Sequence, residues 1–160
     1  MRETRSFWKA ALAVSVIGAI FFAGPMVLGG RSSGTAVEGA EITVFYSPDC
    51  SCCVQYIPYL KRKGFVVTEE LDYGKRIDIL EDNGIPAGMT SCHASMAGGY
   101  FIEGHVPAEV IADLLEERPD IDGIALPGMP QGTPGMPGIK NEVWTIYGFK
   151  DGRSFEYLNL

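Results

Sequence analysis

"EITVFYSPDCSCCVQYIPYLKRKG", residues 41–64, passes from a strand pattern through a turn into a helix pattern, with three cysteines at the junction. Residues 41–46 are a short β-branched and aromatic run, the composition of a buried strand. Ser47-Pro48-Asp49 is a turn signal that can also start a helix. Val54, Ile57 and Leu60, with Tyr56 alongside, then recur at helical spacing. Lys61, Arg62 and Lys63 suit the negative end of the helix dipole, and Gly64 is a good C-cap. Pro58 implies a kink or a late helix start.

The remaining segments extend this unit. "FVVTEELD" reads as a second strand and "GKRIDILEDNG" as a second helix ending at Gly84. "IPAGMTSCHASMAGGYFIEGHV" reads as two short strands forming a hairpin around Gly98-Gly99. Pro107 opens a third helix as its first residue, with Val110, Ile111, Leu114 and Leu115 as its apolar stripe and Pro119 as its stop. The order β-α-β-α-β-β-α is that of the thioredoxin-like fold, an α/β class with a mixed sheet flanked by helices. Its β-α-β unit requires a right-handed crossover and a parallel pair. C-x-x-C follows the first strand of that fold and opens its first helix, the place of Cys50 and Cys53. A cis-proline packs against C-x-x-C in such proteins, and Pro86 is the candidate for it. Beyond Gly123, "GIALPGMPQGTPGMPG" is almost free of charge and dense in Pro and Gly, a composition unsuited to helix or central strand. A C-terminal β-hairpin is expected around Asp151-Gly152.

Residues 1–30 join a basic start (Arg2, Arg5, Lys9) to an uncharged apolar run from Ala10 to Gly30. That is an export signal or an inner-membrane anchor. Residues 31–40, "RSSGTAVEGA", are a linker, and residues 41–160 form the folded, metal-binding domain. Formal charge over the whole chain is -7, and leaving out residues 1–30 leaves 10 basic against 19 acidic side chains. Such a body has no basic footprint for nucleic acid. All four cysteines fall in the exported part, where the surroundings are oxidising and bare thiols pair. Cys50–Cys53, or a bridge to Cys92, is geometrically easier than the strained vicinal Cys52–Cys53. Cysteines packed three into four positions staple little, so their clustering points to chemistry.

Two chemistries suit the stretch. Helix N-termini favour thiolate over thiol, and the thiolate is both nucleophile and metal ligand. As a dithiol oxidoreductase, the protein would use Cys50 as nucleophile and Cys53 as resolving thiol. As a metal site, C-x-C-C adds Cys52 and can bridge several Cu(I) ions, which soft thiolates and thioethers select. Zinc fits less well, because three thiolates from one turn do not easily close a tetrahedral site. Cys92, in the third strand, is expected to face the other three. Alternation on a regular strand sends Cys92 and His93 to opposite faces, which makes His105 the better ligand and His93 the second. Met129 and Met136 stand in the uncharged loop, where a thioether suits Cu(I). Met89 and Met96 read as core packing.

"VFYSPDCSCC", "KRKGFVV", "SCHAS", "GYFIEGHVPAEVI" and "ALPGMPQGTPGMPG", in this order, resemble the CopG-type copper-resistance proteins, small exported proteins long catalogued as a domain of unknown function. The resemblance spans about residues 41–155. It implies a thioredoxin-like fold in the bacterial periplasm, several Cu(I) ions bridged by cysteine thiolates, and a role in copper tolerance with a redox or copper-handling activity. The implied ligands are Cys50, Cys52, Cys53 and Cys92, with His93, His105, Met129 and Met136 at the matching positions. Ser51 stands where the family commonly has glycine. Copper ions and other periplasmic copper-handling proteins are the partners this implies. Turnover as a thiol–disulfide or copper oxidoreductase through Cys50 and Cys53 is the second reading.

Overall fold

The computed structural model describes residues 38–86 and 88–160. The export or anchor segment expected over residues 1–30 and most of the linker lie outside the described residues. Elements follow in the order β1 (Glu41–Tyr46), α1 (Cys53–Arg62), β2 (Val66–Glu70), α2 (Tyr73–Asp82), β3 (His93–Ala97), β4 (Tyr100–Gly104), α3 (Ala108–Glu117), β5 (Gly123–Leu126), β6 (Thr145–Lys150) and β7 (Arg153–Asn159). The seven strands form one sheet in the order β2-β1-β3-β4-β5-β6-β7. β1–β2 and β4–β5 are parallel, and the other neighbours are antiparallel.

Strand alternation sends side chains to two faces, and each face has its own core. Ile42, Val44, Ile102 and Ile124 pack with Tyr56, Ile57 and Leu60 of α1 and with Val110, Ile111 and Leu114 of α3. On the other face Ala94, Phe101, Ala125 and Phe149 pack with Leu80 of α2, and Met89 and Met96 lie against them. Both methionines therefore pack as the sequence suggests.

Helix α1 runs through Pro58, whose ring lies on the exposed side. Its buried stripe is Cys53, Tyr56, Ile57 and Leu60, at spacings of three and four, whereas Val54 is 67% exposed. Tyr56, Ile57 and Leu60 of the expected stripe are buried, and only Val54 is displaced, because Cys53 takes the inward place. Asp72 caps α2, its carboxylate accepting from the Lys75 N–H at 3.0 Å. Pro107, the expected first helical residue, is instead the N-cap of α3, which begins one position later at Ala108. Gly98 and Gly99 both have positive φ, as the two-residue turn joining β3 and β4 requires.

Two expectations fail. Gly123–Leu126 is a central strand, fully buried between β4 and β6. Its prolines begin only at Pro127, so the Pro/Gly composition of the following loop masks four strand residues. β4-α3-β5 is consequently a second parallel crossover unit. In addition, no cis peptide bond occurs among the described residues, so Pro86 does not supply the expected cis-proline. The C-terminal β-hairpin is present, with β6 and β7 joined at Asp151-Gly152.

Candidate metal centre

The turn after β1 is closed by Cys50 N–H donating to Ser47 O at 3.0 Å and Cys53 N–H to Cys50 O at 3.2 Å. Cys52 is the N-cap of α1, and its carbonyl accepts from Gln55 and Tyr56. Cys53 opens α1, Cys52 caps it and Cys50 lies in the turn just before, so all three thiols stand at the electropositive end of one helix. No acidic side chain occupies that first turn.

Cys92 arrives from the opposite direction, one residue before β3 begins. Its sulfur lies 3.0 Å from Cys50 Sγ and 2.9 Å from Cys52 Sγ, and Cys50 and Cys52 sulfurs are 3.5 Å apart. Cys50 and Cys53 form a disulfide, with Cα atoms 5.5 Å apart. Cys52 and Cys92 are free and half-buried. Burial first, and the Cys52 thiol second, push the Cys92 thiol up to about 12. A metal ion binding there must displace a proton.

Ligand atoms of Cys50, Cys52, Cys53, Cys92 and His93 all lie within 4.8 Å of one another. His93 Nδ1 is 3.8 Å from Cys92 Sγ. His93, and not His105, lies in this group. Alternation does not apply across this pair, because Cys92 lies outside the regular strand while His93 is its first residue. His105 sits one layer beneath. Its ring centroid is 4.8 Å from that of His93, and Tyr56 completes a triangle of rings at 5.0 and 4.9 Å. His105 Nδ1 donates to the Pro134 carbonyl at 2.5 Å, which leaves Nε2 with its lone pair.

Burial lowers both imidazoles: His93 to about 3, with His105 adding to the effect, and His105 in the same direction, opposed by the Pro134 carbonyl. Both rings are neutral, the form that binds metals. Nε2 of each is buried without a partner. Buried polar atoms normally find one, so two bare ring nitrogens in the layer that carries the sulfur cluster are unusual.

The Pro/Gly loop is a strap across this centre. Met129, at φ 46°, brings its Sδ to 4.0 Å from Cys92 Sγ. Thr133 is buried and its hydroxyl donates to Pro130 O at 2.7 Å. Gly135, at φ +83°, passes so close to α1 that a Cβ there would lie 2.9 Å from Tyr56 N and 3.2 Å from His105 Nδ1. Met136 belongs to the same strap, with its N–H on Thr133 O at 2.9 Å, but it makes no sulfur contact like that of Met129.

Two solved structures of a copper resistance protein copG, its Form 2 and Form 1, match the chain with TM-scores of 0.69 and 0.68. Each is 35% identical, covers 77% of this chain, and is itself matched over 99% and 98% of its length. The chain belongs to the CopG copper-resistance family. A family model described as "Protein of unknown function, DUF411" matches residues 89–136. No curated protein matches the chain. The matched DUF411 segment carries Cys92, His93, His105, Met129 and Met136, and the CopG structures extend the likeness to most of the chain.

Arg76, Glu103, Ser91, Tyr56 and the Pro134-Gly135 peptide surround the centre and were not singled out from the sequence. Glu103 carried one signal, a charge in an otherwise uncharged strand, whereas Arg76, one of several charges in α2, carried none. Tyr56 carried none beyond its place in the helical stripe.

Proposed function

We propose that this CopG-family protein is an exported copper-binding protein of copper resistance and homeostasis, holding Cu(I) as a thiolate-bridged cluster. The observation that carries this is the meeting of Cys92 with the C-x-C-C turn. Two distant chain segments place three sulfurs 2.9–3.5 Å apart, with His93 beside them. A metal bonded to two sulfurs at about 2.3 Å holds them within roughly 4 Å of each other, so the spacing suits shared ions. Thiolate and thioether donors favour Cu(I), and Met129 supplies the thioether. In the reduced protein Cys50 and Cys53 complete the thiolate set. Residues 1–30 would deliver the domain to the periplasm or tether it to the inner membrane, and other copper-handling proteins there would exchange ions with it.

Anaerobic titration of the reduced protein with Cu(I), against a competing chromogenic chelator, tests this reading. It requires more than one copper per chain, with loss of capacity in Cys52→Ser and Cys92→Ser. A chain that takes up one copper or fewer refutes the cluster.

The Cys50–Cys53 disulfide favours a second reading, a thiol–disulfide or copper oxidoreductase. A substrate dithiol would give two electrons and two protons to the disulfide and leave as a disulfide itself. Alternatively, two Cu(I) ions would give one electron each and leave as Cu(II). Turnover that survives in Cys50→Ser excludes both versions.

A further inference from the structure

Beneath Cys92, on the α2 face of the sheet, lies a buried ion pair. Arg76 of α2 is 3% exposed and Glu103 of β4 is 0% exposed, with Arg76 Nη2 3.3 Å from Glu103 Oε1. Both charges close on the same residue, Ser91. Ser91 N–H donates to Glu103 Oε1, and Arg76 Nη2 donates to Ser91 O. Ser91 Oγ in turn donates to the His93 carbonyl at 2.8 Å and accepts from the His93 N–H at 3.4 Å. Cys92 is therefore bracketed: Ser91 is gripped through both its peptide groups, and His93 is the first residue of β3.

This pair is a poor device for stability. Arg76 Nε and Glu103 Oε2 are buried without partners. Incompletely satisfied buried ion pairs commonly do no better than a well-packed apolar pair of the same size. What the pair does provide is a fixed position for a segment that has no ladder of its own, since Cys92 precedes the strand. Cys92 is also the one thiol of the centre that the helix turn does not place. Any slack at Ser91 translates directly into the distances of 3.0 and 2.9 Å to Cys50 and Cys52.

We propose that Arg76 and Glu103 are positioning residues that clamp the Ser91 peptide and so hold Cys92 against the C-x-C-C turn. Its consequence for copper rests on the copper-binding reading above, while the positioning of Cys92 does not.

The test uses the full chain carrying Arg76→Met, Arg76→Lys or Glu103→Gln, in two arms. First, the metal-free disulfide form is alkylated with iodoacetamide, and the rates at Cys92 and Cys52 are read separately by mass spectrometry of peptides. Expected is a rise of about tenfold in the Cys92 rate for Arg76→Met, the factor that one charged hydrogen bond supplies. Cys52 should change little, and Arg76→Lys, which keeps a donor, should recover part of the protection. Glu103→Gln, of the same shape and still able to accept from Ser91, should fall between wild type and Arg76→Met. Second, Cu(I) titration of the reduced variants should show lost capacity in the same rank order. Equal Cys92 rates in wild type and Arg76→Met overturn the proposal. So does an equal rise at Cys52 and Cys92, or loss of the fold in Arg76→Met and Glu103→Gln alike, since each marks a general structural role. If wild type takes up no copper, the copper reading fails while the alkylation result still decides the clamp.

Discussion

Lowering the metal-free protein from about pH 7.5 to about pH 5 charges histidine in the unfolded chain, while His93 in the folded chain stays neutral. An unfolded imidazole titrates at about 6.5, and burial beneath the sulfur cluster brings the folded one down to about 3. The folded value lies below the unfolded one, so the unfolded chain takes up its proton first. The contribution is complete above the unfolded value and is lost as pH falls from there towards the folded one. Each pH unit inside that window removes about 1.4 kcal/mol, so His93 alone accounts for about 2 kcal/mol at about pH 5. His105 acts in the same direction. Glu103 acts oppositely: burial raises it to about 7, so its folded form gains the proton first and stability rises as pH falls through its window. The net slope of the wild type mixes these, and the assay must isolate one residue. Urea unfolding of wild type and His93→Gln, in the disulfide form with chelator present, is measured at both pH values. The stability difference between them should shrink by about 2 kcal/mol on going to the lower pH. A difference that is the same at both, within about 0.5 kcal/mol, would mean that His93 takes up its proton inside the fold. It would then not be held as a buried neutral ring, and its lone pair would not be reserved for a metal.

The strap gives a second prediction. Gly135→Ala forces a left-handed alanine and a Cβ 2.9 Å from the Tyr56 nitrogen, so it should cost roughly 2–4 kcal/mol by urea unfolding and expose Cys92 to alkylation. Met129 and Met136 should separate: Met129→Leu is expected to weaken Cu(I) binding about tenfold in chelator competition, and Met136→Leu to leave it nearly unchanged. At the sheet centre, Gly123→Ala places a Cβ 2.0 Å from Phe101 O and 2.6 Å from the Phe149 ring, and a loss of at least about 3 kcal/mol is expected from thermal or urea unfolding.

Much of this fold was legible because its elements carry strong local signals. Residues 41–46 have a strand composition, α3 has an apolar stripe, and Gly98-Gly99 and Asp151-Gly152 mark their hairpins. β5 was not legible. Four buried residues are too short to show a period, and the Pro/Gly loop that follows overwhelmed them. Val54 was misplaced for a related reason: apolar spacing fixes a helical stripe only to within one position, and Cys53 counts as apolar once it is buried. In the candidate centre, the identity of the thiols was plain from C-x-C-C and Cys92. The ranking of the histidines was not, because alternation is a rule for residues inside a strand, and whether Cys92 lies inside β3 or just before it depends on where pairing with β1 ends.

By itself the sequence determined which donors this protein has: four thiols, two imidazoles and loop thioethers, with three of the thiols bound to the start of one helix by local turn chemistry. Only the tertiary structure decided which donors meet. Cys92 reaches the turn because β3 pairs antiparallel to β1 and a buried Arg76–Glu103 pair grips the peptide before it. Met129, and not Met136, faces a sulfur because Gly135 and Pro134 pin the strap to Tyr56 and His105. Local chemistry acts over a few residues and is written in composition and spacing. The meeting of residues 40 and more positions apart depends on sheet register and packing, which no short window of sequence contains.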